Sequence, residues 1–178
     1  MKYVALLRGI NVGGKNKLAM KDLALIVAAT GCDSVETFIQ SGNVVFGATP
    51  KVAKSAAKLI EEGIRQRFDL AVPVVVRSVE QLNLAARANP FLNSGGSEEF
   101  CHLMFLADQP DPGLVRQLDP DRSPPDRFIV RGNDIYLYLP NGSARTKLSN
   151  AYFDSKLKTV STGRNWRTVC KLVELVSR

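Results

Sequence analysis

Two β-type runs, Val35 to Gln40 and Asn43 to Phe46, are separated only by Ser41-Gly42. A spacing that short leaves no room for a crossover, so the chain has to fold back on itself as an antiparallel hairpin. Doubly wound parallel sheets are thereby disfavoured, and the neighbouring segments are read around the hairpin. Tyr3 to Leu7 is a short apolar run ending at Arg8-Gly9 and reads as a central strand. Met20, Leu23, Ile26, Val27 and Thr30 recur at helical spacing, with Gly31 placed to terminate that helix. Thr49 caps and Pro50 opens a second helix running to about Phe68, and Val72 to Val76 is a strand rich in β-branched residues. The order is β-α-β-β-α-β, the ferredoxin-like plan.

Beyond it, Ser78-Val79-Glu80-Gln81 has the form of a capping box and opens another helix. Asn89-Pro90 ends that helix, because the ring of Pro90 disfavours helical geometry at Asn89. Ser94 to Ser97, with two glycines, reads as a linker between a ferredoxin-like subdomain over 1–93 and a second α+β subdomain over 98–178. The second half repeats part of the plan. Phe100 to Leu106 is a strand, a short helix lies near Gly113 to Leu118, and Phe128 to Val130 pairs with Asp134 to Tyr138 about a turn at Arg131-Gly132-Asn133. This predicts a second ferredoxin-like βαββ unit whose last strand is lost or replaced. Helices over about Ser149 to Leu157 and Asn165 to Val176 finish an α+β chain.

Composition narrows the setting. Cys32, Cys101 and Cys170 are odd in number and carry no CxxC or Cys/His spacing, so neither a disulfide framework nor a metal site is expected. The N-terminal apolar stretch is broken by Arg8, too soon for a signal peptide, and no stretch is long enough to span a bilayer. A cytoplasmic setting without membrane attachment is the expectation. The formal charge of +7 is unevenly spread. Residues 1–21 and 145–178 are strongly basic, whereas acids predominate over 90–144. If the ends meet, they form a positive patch suited to a phosphate-bearing ligand or a nucleic-acid backbone; otherwise the charge is a solvated surface.

Two segments stand out chemically. Gly9-Ile10-Asn11-Val12-Gly13-Gly14-Lys15-Asn16 follows a strand and nearly spells GxxxxGK[ST], in which backbone N–H groups wrap phosphates and the hydroxyl holds magnesium. Asn16 replaces the hydroxyl, and Lys17-Leu18-Ala19 delays the helix, so nucleotide hydrolysis is not expected. What remains is an anion-holding loop with Arg8, Asn11, Gly13, Gly14 and Lys15, or a plain turn made by Gly13 and Gly14. The other segment is Thr162-Gly163-Arg164-Asn165-Trp166-Arg167-Thr168, where Thr162 is placed to cap the last helix and Arg164 and Asn165 complete an anion pocket. Trp166 reads as a packing anchor. His102 is the sole histidine and lies in an alternating strand, opposite the face of Cys101, Leu103 and Phe105; no triad is supported, and a structural or exposed role is expected. The single aromatic in Asn43 to Phe46 argues against base stacking of the RNA-recognition type.

Taken together, Arg8-Gly9-Ile10-Asn11-Val12-Gly13-Gly14, Ser41-Gly42-Asn43-Val44-Val45-Phe46, Asn89-Pro90-Phe91 and Thr162, Arg164-Asn165-Trp166 and Thr168-Val169 resemble the motifs of the bacterial domain-of-unknown-function family numbered 1697. The resemblance implies two ferredoxin-like halves and supplies no activity, cofactor or catalytic residue. From the residues themselves the expectation is a non-enzymatic binding module for a phosphate-bearing ligand or nucleic acid. An enzyme acting on a small anionic substrate and a protein-interaction module are the alternatives.

Overall fold

Val4, Ala5, Leu6 and Leu7 are all wholly buried in β1 (Lys2–Leu7), which marks a strand covered on both faces and therefore central. The computed structural model describes every residue from Met1 to Arg178. In it β1 pairs antiparallel with both β3 (Asn43–Gly47) and β4 (Val74–Ser78), and β2 (Asp33–Phe38) pairs outside β3, giving the order β2-β3-β1-β4. Alternation along β1 sends Tyr3, Ala5 and Leu7 to one face, where α1 (Met20–Ala29) and α2 (Pro50–Phe68) pack on them through Leu23, Ile26, Ile60 and Ile64. Burying each of those side chains is worth about 1.5–3 kcal/mol, which makes the face the main reason the helices dock. Thr49 accepts from Val52 N and Pro50 opens α2, as the sequence indicates.

A second antiparallel sheet is centred on β5 (Cys101–Leu106), flanked by β7 (Asp134–Tyr138) and β8 (Ser161–Asn165), with β6 (Arg127–Arg131) beyond β7; its order is β6-β7-β5-β8. One face holds Met104, Leu106, Ile135 and Leu137 against Phe153 and Leu157 of α6 (Asn150–Leu157). Between the sheets in sequence lie α3 (Val79–Arg87) and the single turn α4 (Pro90–Asn93), while α5 (Pro112–Arg116) follows β5 and α7 (Trp166–Val176) follows β8. Contacts divide the chain into one unit of Met1–Asn83 with Leu172–Arg178 and another of Leu84–Lys171.

Ser78 and Gln81 do form the capping box, with Gln81 N donating to Ser78 Oγ at 3.2 Å and Ser78 N donating to Gln81 Oε1 at 2.9 Å. Three expectations are corrected. The second sheet has not lost its last strand: Ser161 to Asn165 pairs with β5 from Leu106 to His102, a strand hidden from sequence reading by its polar, glycine-containing composition. Thr162 lies inside that strand and does not cap α7; Asn165 does, its Oδ1 accepting from Thr168 N at 2.8 Å. The first hairpin turns through four residues, Ile39 to Gly42, because Phe38 already pairs with Asn43 and Ile39 takes a φ of 49°.

Candidate functional site

The glycine-rich loop folds on itself. Lys15 N donates to Val12 O at 3.0 Å across Gly13 and Gly14, which turn with positive φ values of 57° and 75°. Asn11 also stands at positive φ, and its amide is taken up by the chain: Nδ2 donates to Leu18 O at 2.8 Å and Gln40 O at 2.9 Å, and Oδ1 accepts from Leu18 N at 2.9 Å. Asn16 Nδ2 closes the loop on Gly9 O at 2.9 Å. Lys15 and Lys17 stay exposed while Arg8 is half-buried. This loop belongs to the first unit, and Thr162, Arg164 and Asn165 belong to the second.

Strand alternation separates those last three residues. Thr162 and Arg164 pair with Phe105 and Leu103 and share their face, whereas Asn165 pairs with His102 and lies on the other. On its face Arg164 Nη1 donates to Thr162 Oγ1 at 2.9 Å and to Gly163 O at 2.7 Å. Only 8% of the residue is exposed, and this burial pulls the guanidinium down to about 10.

On the face of His102 and Asn165 lies a cavity of about 390 Å³, within the size range of small-molecule sites. Its floor is apolar and buried: Met104, Leu137, Leu139 and Leu148. Half-buried His102, Thr146, Asn150 and Gly163 form its walls together with buried Arg164, and exposed Ser143, Ser149 and Asn165 its rim. The second core creates the floor, the α6 N-terminus brings in Ser149 and Asn150, and β8 supplies Gly163 and Asn165.

Several of these polar groups have spare hydrogen-bonding capacity. Asn150 Nδ2 donates to Ser161 Oγ at 2.8 Å, and Ser161 in turn donates to Asp154 Oδ1 at 2.6 Å, which leaves Asn150 Oδ1 as an acceptor. Asn165 Oδ1 is taken by the α7 cap, which leaves its amide N–H groups as donors. His102 Nδ1 is buried, so the accessible edge of the ring is the one that carries Nε2. Burial pulls the imidazole below its ordinary value of 6.5, with the Phe100 backbone opposing part of the effect, so the ring is neutral at pH 7. An imidazole, one open acceptor and one open donor thus stand over an apolar floor, with Arg164 also in the lining.

Sequence reading named Arg164 and Asn165, both of which line the cavity, and placed His102 on the face opposite Cys101. It missed the rest of the cavity, because Thr146, Ser149, Asn150 and Gly163 are ordinary loop, cap and strand residues until the second sheet closes. Gly163 inside a strand was the one available signal, and it is readable only once β8 is known to be a strand.

The molecule is therefore a mixed α/β protein with two four-stranded antiparallel sheets, the second of which carries a half-polar cavity. It belongs to the family described as Protein of unknown function (DUF1697), whose sequence profile matches residues 1–136. Among solved structures it is similar to the conserved bacterial protein SP0830 from Streptococcus pneumoniae, with a TM-score of 0.73, 22% identity and coverage of 99% of this chain and 98% of that one. At that identity the likeness concerns the fold. No curated protein matches the chain. No helix is long and apolar enough to cross a membrane.

Proposed function

We propose that the protein is a non-enzymatic binding module that holds a small molecule in the cavity of its second unit. The observation that carries this reading is the neutral, half-buried His102 opening on a cavity of about 390 Å³ with an apolar floor. Ligand sites combine a large apolar surface with a few placed polar groups in this way. Binding is preferred to turnover because no nucleophile hydrogen-bonded to His102 accompanies it: Ser161, the buried hydroxyl on the same face of β8, gives its proton to Asp154. We also read each unit as a ferredoxin-like fold, supported by the shared β-α-β-β-α-β order and equivalent strand orders. A cytoplasmic setting is supported by the free thiols of Cys32 and Cys101.

The test is thermal melting against a panel of nucleobases, vitamins, amino acids and sugar phosphates. A ligand at one hundred times its Kd stabilises by about 2.7 kcal/mol, enough to raise the melting temperature by several degrees. The expected result is a rise with at least one compound class that disappears in His102→Ala. Unchanged melting across the panel refutes the reading.

A further inference from the structure

Gly163 sits in the middle of β8, where a glycine costs chain entropy and contributes no packing. Neither usual reason for a strand glycine applies. Its φ lies outside the left-handed region, and a Cβ added there would meet only Met104, at 3.5 Å from Cγ and 3.9 Å from Cε, which is ordinary contact. The residue lines the cavity, so what the missing side chain does is leave the strand backbone bare at the cavity wall. The flanking residues on the same face, Ser161 and Asn165, are four positions apart, a gap of about 13 Å along the strand.

We propose that the cavity takes a flat, uncharged heteroaromatic ring bearing both a hydrogen-bond donor and an acceptor, laid against the backbone at Gly163. This rests on the binding reading above and names its ligand class. The bare backbone admits a flat group where a side chain would exclude it. Met104, buried on the same face and opposite Gly163 in register, offers an adaptable thioether of the kind that favours aromatic partners. The edge of the ring is served by Asn165 Nδ2 as donor, Asn150 Oδ1 as acceptor and the Nε2 edge of His102. A charged ring is disfavoured, because the one permanent charge lining the cavity, Arg164, is buried and already donates to Thr162 Oγ1 and Gly163 O, and burial disfavours a charge on His102.

The experiment uses the full chain labelled at its methionine methyl groups, of which Met104 is one of three. Uracil and nicotinamide are titrated beside their anionic counterparts orotate and nicotinate. The expected result is a saturable shift of the Met104 methyl with at least one uncharged ring, at least tenfold tighter than with its anion. Gly163→Val should weaken it at least tenfold without lowering the melting temperature; should that variant not fold, Gly163→Ala is expected to weaken it by a smaller factor. Equal binding of the anions overturns the inference, as does failure of both uncharged rings or a Kd within twofold in the glycine variants. A charged or aliphatic ligand found by the melting panel and lost in His102→Ala overturns the inference and leaves the binding reading standing.

Discussion

His102 is held in a form that the unfolded chain does not keep at mildly acid pH. Its folded value is depressed by burial, so below the ordinary 6.5 the unfolded state binds a proton that the folded state refuses. Stability is therefore intact above about pH 6.5 and declines as the pH falls through that value. In urea titrations at pH 8 and pH 5.5 the wild type should lose more stability than His102→Gln; equal losses would mean that the imidazole is not desolvated in the folded state. Asp154, on the helix packed over this face, is already engaged by Ser161 and does not offer His102 a counter-charge in the hydrogen-bonded set. At the same scale, Asn11 shows how a residue suited to anion contact can be committed elsewhere, since three hydrogen bonds bind its amide to the backbone.

Between elements, the contact of α1 with α2 turns on Gly63, where a Cβ would stand 2.8 Å from Ile26 Cγ2. Replacing a helical glycine by alanine gains about 1 kcal/mol in propensity. Here that gain is opposed by overpacking against Ile26, a buried core side chain, which costs about 1–3 kcal/mol. Gly63→Ala is expected to be destabilising, read as a lower urea midpoint with an unchanged slope, whereas a rise in midpoint would show that Ile26 yields freely. The capping box at Ser78 and Gln81 is the contrasting case, a local device whose geometry follows from four consecutive residues.

Across the whole molecule, each sheet places two strands between partners, β3 and β1 in the first and β7 and β5 in the second, and leaves β2, β4, β6 and β8 at edges. Amides of a central strand can exchange only when the surrounding sheet opens, while edge amides open locally. Hydrogen exchange should therefore be slower in the inner strands β1, β3, β5 and β7 than in the edge strands β2, β4, β6 and β8; uniform exchange along either sheet would contradict the strand order. What could be read without the structure was whatever is settled by near neighbours. The apolar run of β1, the Thr49-Pro50 start of α2, the capping box and the alternation that puts His102 opposite Cys101 all follow from periodicities of two or 3.6 and from caps a few residues long. The strand β8 was not legible, because Ser161 to Asn165 carries no apolar residue and has a central glycine, and its place in the sheet is set by pairing with the edge that β5 offers. The cavity depends on that pairing. With Thr162 taken as a helix cap, Thr162, Arg164 and Asn165 read as one site; once β8 joins the sheet, Thr162 turns to the face of Phe105, while Gly163 and Asn165 stand on the face of His102 and Arg164 still borders the cavity. Local order was thus determined by the amino-acid sequence alone, and the composition of the site by tertiary pairing, since a register between distant strands decides which side chains share a face.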